Sequence, residues 1–66
     1  MYTHQVNYSK RFITGVLKGK LYPDYLRFTS AKEAQEFKKI CESGYEFSSC
    51  AGYGSYVADD VTITKL

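Results

Sequence analysis

Alternation of apolar and polar residues opens the chain. In "YTHQVNYSKRFI", Tyr2, Val6, Tyr8 and Phe12 share one parity, and Thr3, Gln5, Asn7, Ser9 and Arg11 share the other. Successive strand side chains point to opposite faces, so this stretch predicts a half-buried strand. His4 and Lys10 fall on the apolar parity and confine its core face to the middle. In "LYPDYLRFT", Leu26 and Phe28 point one way and Tyr25 and Arg27 the other. Pro23 has no N–H to give a ladder, so regular pairing is expected to resume after it. Together these segments predict a hairpin with a long connection, "TGVLKGK".

The period then changes. "SAKE" places Ser30 three residues before Glu33. That is a capping box, with the serine hydroxyl accepting from an orphan helix amide and the glutamate reaching back. A helix follows from Ala31 to Ser43, with Ala34, Phe37 and Cys41 on its apolar stripe and Ala31 and Ile40 flanking it. Gly44 stands where a left-handed C-terminal cap belongs. Beyond it, Tyr45, Phe47, Ser49 and Ala51 share one parity, "GYG" predicts a turn, and "SYVADDVTITKL" predicts a strand with Val57, Val61 and Ile63 facing one way. Asp59 and Asp60 mark a kink or bulge in it. The expected fold is α+β: β-hairpin, α-helix, β-hairpin, forming a four-stranded antiparallel sheet with one helix packed on one face. The expected organisation is a single domain over 1–66.

Composition adds the setting. With 44% hydrophobic and 17% aromatic residues among 66, the chain is that of a folded protein, although at this size only about 60% of the unfolded surface can be buried. There is no apolar run of membrane-spanning length and no apolar core of a signal peptide in "MYTHQVNYSK", which predicts a cytoplasmic protein. Two reduced, buried thiols are then expected at Cys41 and Cys50 rather than a bridge. With the lone His4 these cannot complete a structural zinc site, and neither thiol is marked as an activated nucleophile. No metal or other cofactor is expected.

Charge is uneven although its total is +2. Residues 1–29 carry Lys10, Arg11, Lys18, Lys20 and Arg27 against Asp24, a net +4. Residues 45–66 carry Lys65 against Glu46, Asp59 and Asp60, a net −2. A basic end and an acidic end follow.

Three patterns bear on chemistry. Gly15 and Gly19 with Lys20 resemble a phosphate loop, but the spacing is one residue short, Leu21 replaces the hydroxyl residue, and a strand follows where a helix is required. "AGYGSYVA" shares Gly52, Tyr53 and Gly54 with an RNA-recognition strand motif, yet Ala51 replaces the basic residue and Ser55 a stacking aromatic. The carboxylates of Asp59 and Asp60 would face opposite ways on an extended strand and form no catalytic dyad. With no nucleophile paired to a base, a non-enzymatic protein is expected.

Seven tyrosines are the compositional outlier. Tyr22, Tyr25, Tyr53 and Tyr56 lie beside turns or on the parity away from the core. Exposed tyrosine gives large, rigid contact area, and near Lys18, Lys20 and Arg27 it also suits base stacking. These residues, with Lys10 and Arg11 of the first hairpin, form the predicted partner-binding set.

The strand ending at Phe12, Gly15-x-Leu17-x-Gly19, Leu26-x-Phe28-x-Ser30, the helix with Ala34 and Phe37, and Val61-x-Ile63 together resemble the small orphan accessory proteins of tailed bacteriophages. The resemblance spans about Tyr2 to Ile63. It implies a compact binder, made in a bacterial cytoplasm, that docks on a host protein or a defence complex such as CRISPR-Cas, in the manner of anti-CRISPR inhibitors. The class shares no site, so no residue role carries over. A nucleic-acid-binding module using the same surface is the alternative. Either a monomer or a homodimer is compatible, because an uncovered sheet edge can pair with a second copy.

Overall fold

A computed structural model describes residues 1–49 and 52–66. Strands β1 (His4–Phe12) and β2 (Leu21–Phe28) precede helix α1 (Ala31–Glu42), and β3 (Phe47–Ser48) and β4 (Ser55–Lys65) follow it. The four strands form one antiparallel sheet in the order β2-β1-β4-β3, and α1 lies against one face. The expected α+β architecture is the observed one. Among the described residues, no helix is long and apolar enough to cross a membrane.

The helix starts where its cap predicts. Ser30 is extended, at φ −147° and ψ 155°, and its hydroxyl accepts from the Glu33 amide at 3.2 Å. The serine arm of the capping box is therefore formed, and Glu33 adds negative charge to the first turn, where the helix dipole favours it. At the other end the Ser43 hydroxyl donates to the Ile40 carbonyl at 2.6 Å, and Gly44 takes up φ +82°. The helix buries Ala34 and Cys41 and leaves Ile40 exposed. Burial, followed by the charge of Glu42, raises the pKa of the Cys41 thiol. Cys50, the other half of the thiol expectation, lies outside the described residues, as does Ala51.

Val6, Tyr8, Ala34, Cys41 and Ala58 form the core, with Phe28, Phe37, Phe47, Val61 and Ile63 packed around it. Phe37 is its aromatic hub, with ring centroids 5.8 Å from Tyr8, 5.5 Å from Phe28 and 6.1 Å from Phe47.

Several expectations are corrected by long-range pairing. Pairing in β2 starts at Leu21 and passes through Pro23, which lies opposite Ser9. This is tolerated because β2 is an edge strand. Tyr2, expected on the core face, lies beyond the start of β1 and is exposed; Leu26 shares the face of its partner Val6 but is 45% exposed. The bulge expected at Asp59 and Asp60 is present, with Asp60 at φ +53°. Asn7 pairs with Thr62 but Ser9 with Asp59, so two residues of β4 oppose Tyr8. One extra residue reverses the alternation. Tyr56 and Ala58 therefore share the helix face with Val61 and Ile63, while Val57, opposite Arg11, is on the outer face.

The outer face is polar. Arg27 Nε donates to Gln5 Oε1 at 2.9 Å, Gln5 Nε2 to Asn7 Oδ1 at 2.6 Å, and Asn7 Nδ2 to Thr64 Oγ1 at 3.0 Å. This row of side chains ties β2, β1 and β4 together where no helix covers them.

Candidate binding surface

The helix does not cover the whole of its face. At the end of the sheet formed by the last residues of β1 and the first of β2, a hollow of about 510 Å³ is lined by Lys10, Phe12, Leu17, Tyr22, Pro23, Asp24, Ser49 and Tyr53. The strand register explains the grouping. Lys10 lies opposite Tyr22 and Tyr8 opposite Asp24, so these side chains share one face. The Phe12 ring meets Tyr22 edge-on at 5.9 Å and Tyr56 at 5.3 Å, and Tyr56 stacks on Phe47 at 5.4 Å. An unbroken series of rings thus runs from Phe37 in the core to Tyr22 at the rim.

Two connections close the hollow on one side, and glycine makes their meeting possible. A Cβ on Gly15 would lie 2.5 Å from the Tyr53 carbonyl oxygen and 2.6 Å from Gly54 Cα, and one on Gly54 would overlap the Thr14 carbonyl. Both glycines have positive φ, +78° and +114°. Around them Ser55 N donates to Thr14 Oγ1 at 2.7 Å and Ile13 N to the Ser55 carbonyl at 2.9 Å. "TGVLKGK" is therefore a bend docked on the "GYG" turn, and the docking places Leu17 and Tyr53 on the same hollow.

An ion pair sits among the rings. Lys10 Nζ is 3.1 Å from Asp24 Oδ2 and 5.2 Å from the Tyr56 ring centroid. Asp24 Oδ1 accepts from the Tyr25 amide at 2.8 Å. Partial burial alone would raise the Asp24 pKa, but the Tyr25 amide, the Lys10 ammonium and the Tyr8 hydroxyl outweigh it and hold the carboxyl below its ordinary value. Tyr8 is pushed the other way, mainly by burial and then by the negative charge of Asp24.

The predicted partner-binding set is divided between two faces. Lys10, Tyr22 and Tyr53 line the hollow, with Tyr56 behind Phe12. Arg11, Tyr25 and Arg27 are on the outer face, where Arg11 pairs with Asp59 at 2.7 Å and Arg27 lies over the Tyr25 ring at 5.3 Å. Lys18 and Lys20 are exposed on the bend. Tyr56, on the parity opposite Val57, Val61 and Ile63 in the sequence, instead shares the core's face, and so does Tyr22 beside its turn. Leu17, Pro23, Asp24 and Ser49 line the hollow without belonging to the predicted set, as does Phe12, expected on the core face. Parity gives the face of Phe12, but its tyrosine neighbours follow only from the strand register. Ser49 has no such signal, since its place depends on the Ser49-to-Gly54 hydrogen bond of the closing turn.

Among the described residues, no three His, Cys, Asp or Glu side chains converge as a metal site would require. No protein-family model, curated protein or solved structure matches the chain.

Proposed function

We propose that this is a small non-enzymatic binding protein that docks on a partner protein through the aromatic hollow and the basic bend beside it. The observation that carries the reading is the convergence of Phe12, Tyr22 and Tyr53 around a Lys10 whose charge is answered by Asp24. Tyr22 and Tyr53 are 39% and 49% exposed, yet both belong to the hydrogen-bonded frame of the sheet and its turns. Rigid, half-exposed aromatic rings in a concave site are what interface anchors require. The ion pairs on Lys10 and Arg11 reduce the free positive charge available to phosphates, which favours a protein over a nucleic acid. The resemblance to phage accessory proteins makes a bacterial cytoplasmic complex, CRISPR-Cas among them, the first partner to try.

Affinity capture from a phage-sensitive bacterial lysate tests this, with Tyr53→Ala and Tyr22→Ala as controls. A partner that is recovered by the wild type and lost with both variants is expected. A partner lost only with Lys18→Glu and Lys20→Glu, together with salt-sensitive gel shifts of DNA or RNA, would replace the reading with the nucleic-acid module.

A further inference from the structure

The two lateral edges of the sheet are finished differently. Phe12 N donates to the Lys20 carbonyl, so the even residues of β2 turn their backbone groups to β1 and Leu21, Pro23, Tyr25 and Arg27 turn theirs outward. Pro23 has no amide to offer, and the Tyr25 amide is occupied by Asp24 Oδ1. The middle of this edge is closed to strand addition.

The other edge is open over part of its length. β3 pairs with Ser55 and Tyr56 alone. Leu66 N donates to the Thr3 carbonyl at 2.9 Å, which fixes the alternation and turns the backbone groups of Ile63 and Lys65 away from β1. Among the described residues, no backbone hydrogen bond reaches them. The bulge at Asp60 interrupts the edge on one side, leaving Val61-Thr62-Ile63-Thr64-Lys65, a β-branched run without proline.

We propose that this segment pairs antiparallel with the same segment of a second copy, about a two-fold axis at Ile63. Charge selects the occupant. A hollow of about 460 Å³ beside the bulge is lined by Glu42, Asp59 and Asp60. Asp59 is taken by Arg11, which leaves the carboxylates of Glu42 and Asp60. In the two-fold register Ile63 faces Ile63, and Lys65 of each copy arrives opposite Val61 of the other, next to that copy's Asp60. Edge and charge are thus self-complementary, as an isologous interface requires. Two four-stranded sheets then become one, ending on both sides in the closed β2 edge.

Sedimentation equilibrium of the full chain over rising concentration, with amide hydrogen exchange followed by NMR, tests the pairing. A dimer is expected, with the Ile63 and Lys65 amides gaining protection as concentration rises and those of Leu21 and Arg27 unchanged. Lys65→Pro removes one outward amide and should abolish the dimer. Lys65→Glu keeps the backbone and should weaken association severalfold. A monomer at millimolar concentration, a dimer indifferent to both substitutions, or concentration-dependent protection at Leu21 and Arg27 would overturn the proposal. If Lys65→Pro fails to fold, Lys65→Glu and the exchange pattern decide.

Discussion

Gly15 and Gly54 meet backbone to backbone, with a Cβ on Gly15 reaching to 2.6 Å of Gly54 Cα. Gly19 has a similar φ, +86°, but nothing within 4 Å of its Cβ position. The two sites separate conformational strain from collision. Gly19→Ala should cost about 1–2 kcal/mol, the left-handed penalty alone. Gly54→Ala and Gly15→Ala carry that penalty and force the two connections apart, so each should cost about 3 kcal/mol or more. Urea unfolding curves of the three variants check the order.

Asp24 and Tyr8 set opposite limbs of the pH–stability curve. The folded-state pKa of Asp24 is depressed, so its contribution is full above its ordinary carboxyl value and is lost as pH falls through the folded one. The pKa of Tyr8 is raised, so its contribution is full below the ordinary phenol value and is lost as pH rises. Asp24→Asn should flatten the acid limb of a thermal-melt series. Phenolate absorbance should show one tyrosine ionising late, together with alkaline unfolding, and Tyr8→Phe should remove that step.

The closed β2 edge can be opened. Pro23→Val with Asp24→Ala supplies one outward amide and frees another. Light scattering should then show association growing beyond a dimer, with a strand-rich infrared signal. Either substitution alone should have a smaller effect.

Truncating the aromatic hub is the severest test of the core. Phe37 touches three rings, and Phe37→Ala should cost about 3 kcal/mol, a large share of the roughly 3–10 kcal/mol expected for a domain of this length. Ser30→Ala removes one cap hydrogen bond and should cost about 1 kcal/mol, which Ser30→Asp restores. Calorimetric melts distinguish the two.

What the sequence made legible was local. The Ser30 cap, the left-handed Gly44 and the alternation of Val6, Tyr8 and Phe12 each depend on residues a few positions apart. Together they were sufficient for the α+β architecture. The misplacements arose where distant segments decide. Pro23 is locally a barrier to pairing, and only the edge position of β2 removes it. The parity of Val57 does not carry across Asp60, because one bulged residue reverses it. The tyrosines were identified, but their division between faces depends on the register of β1 with both neighbours. The packing of Gly15 on Gly54 spans 39 positions of chain and has no local signature.

The series of rings from Phe37 through Phe47, Tyr56 and Phe12 to Tyr22 removes any boundary between the core and the hollow. A substitution at Phe12 or Tyr56 is felt at both ends, loosening the interior and reshaping the contact at once. On the proposed binding reading, a new target could not be acquired by altering one patch while the rest stands still. Specificity and foldedness would then drift together.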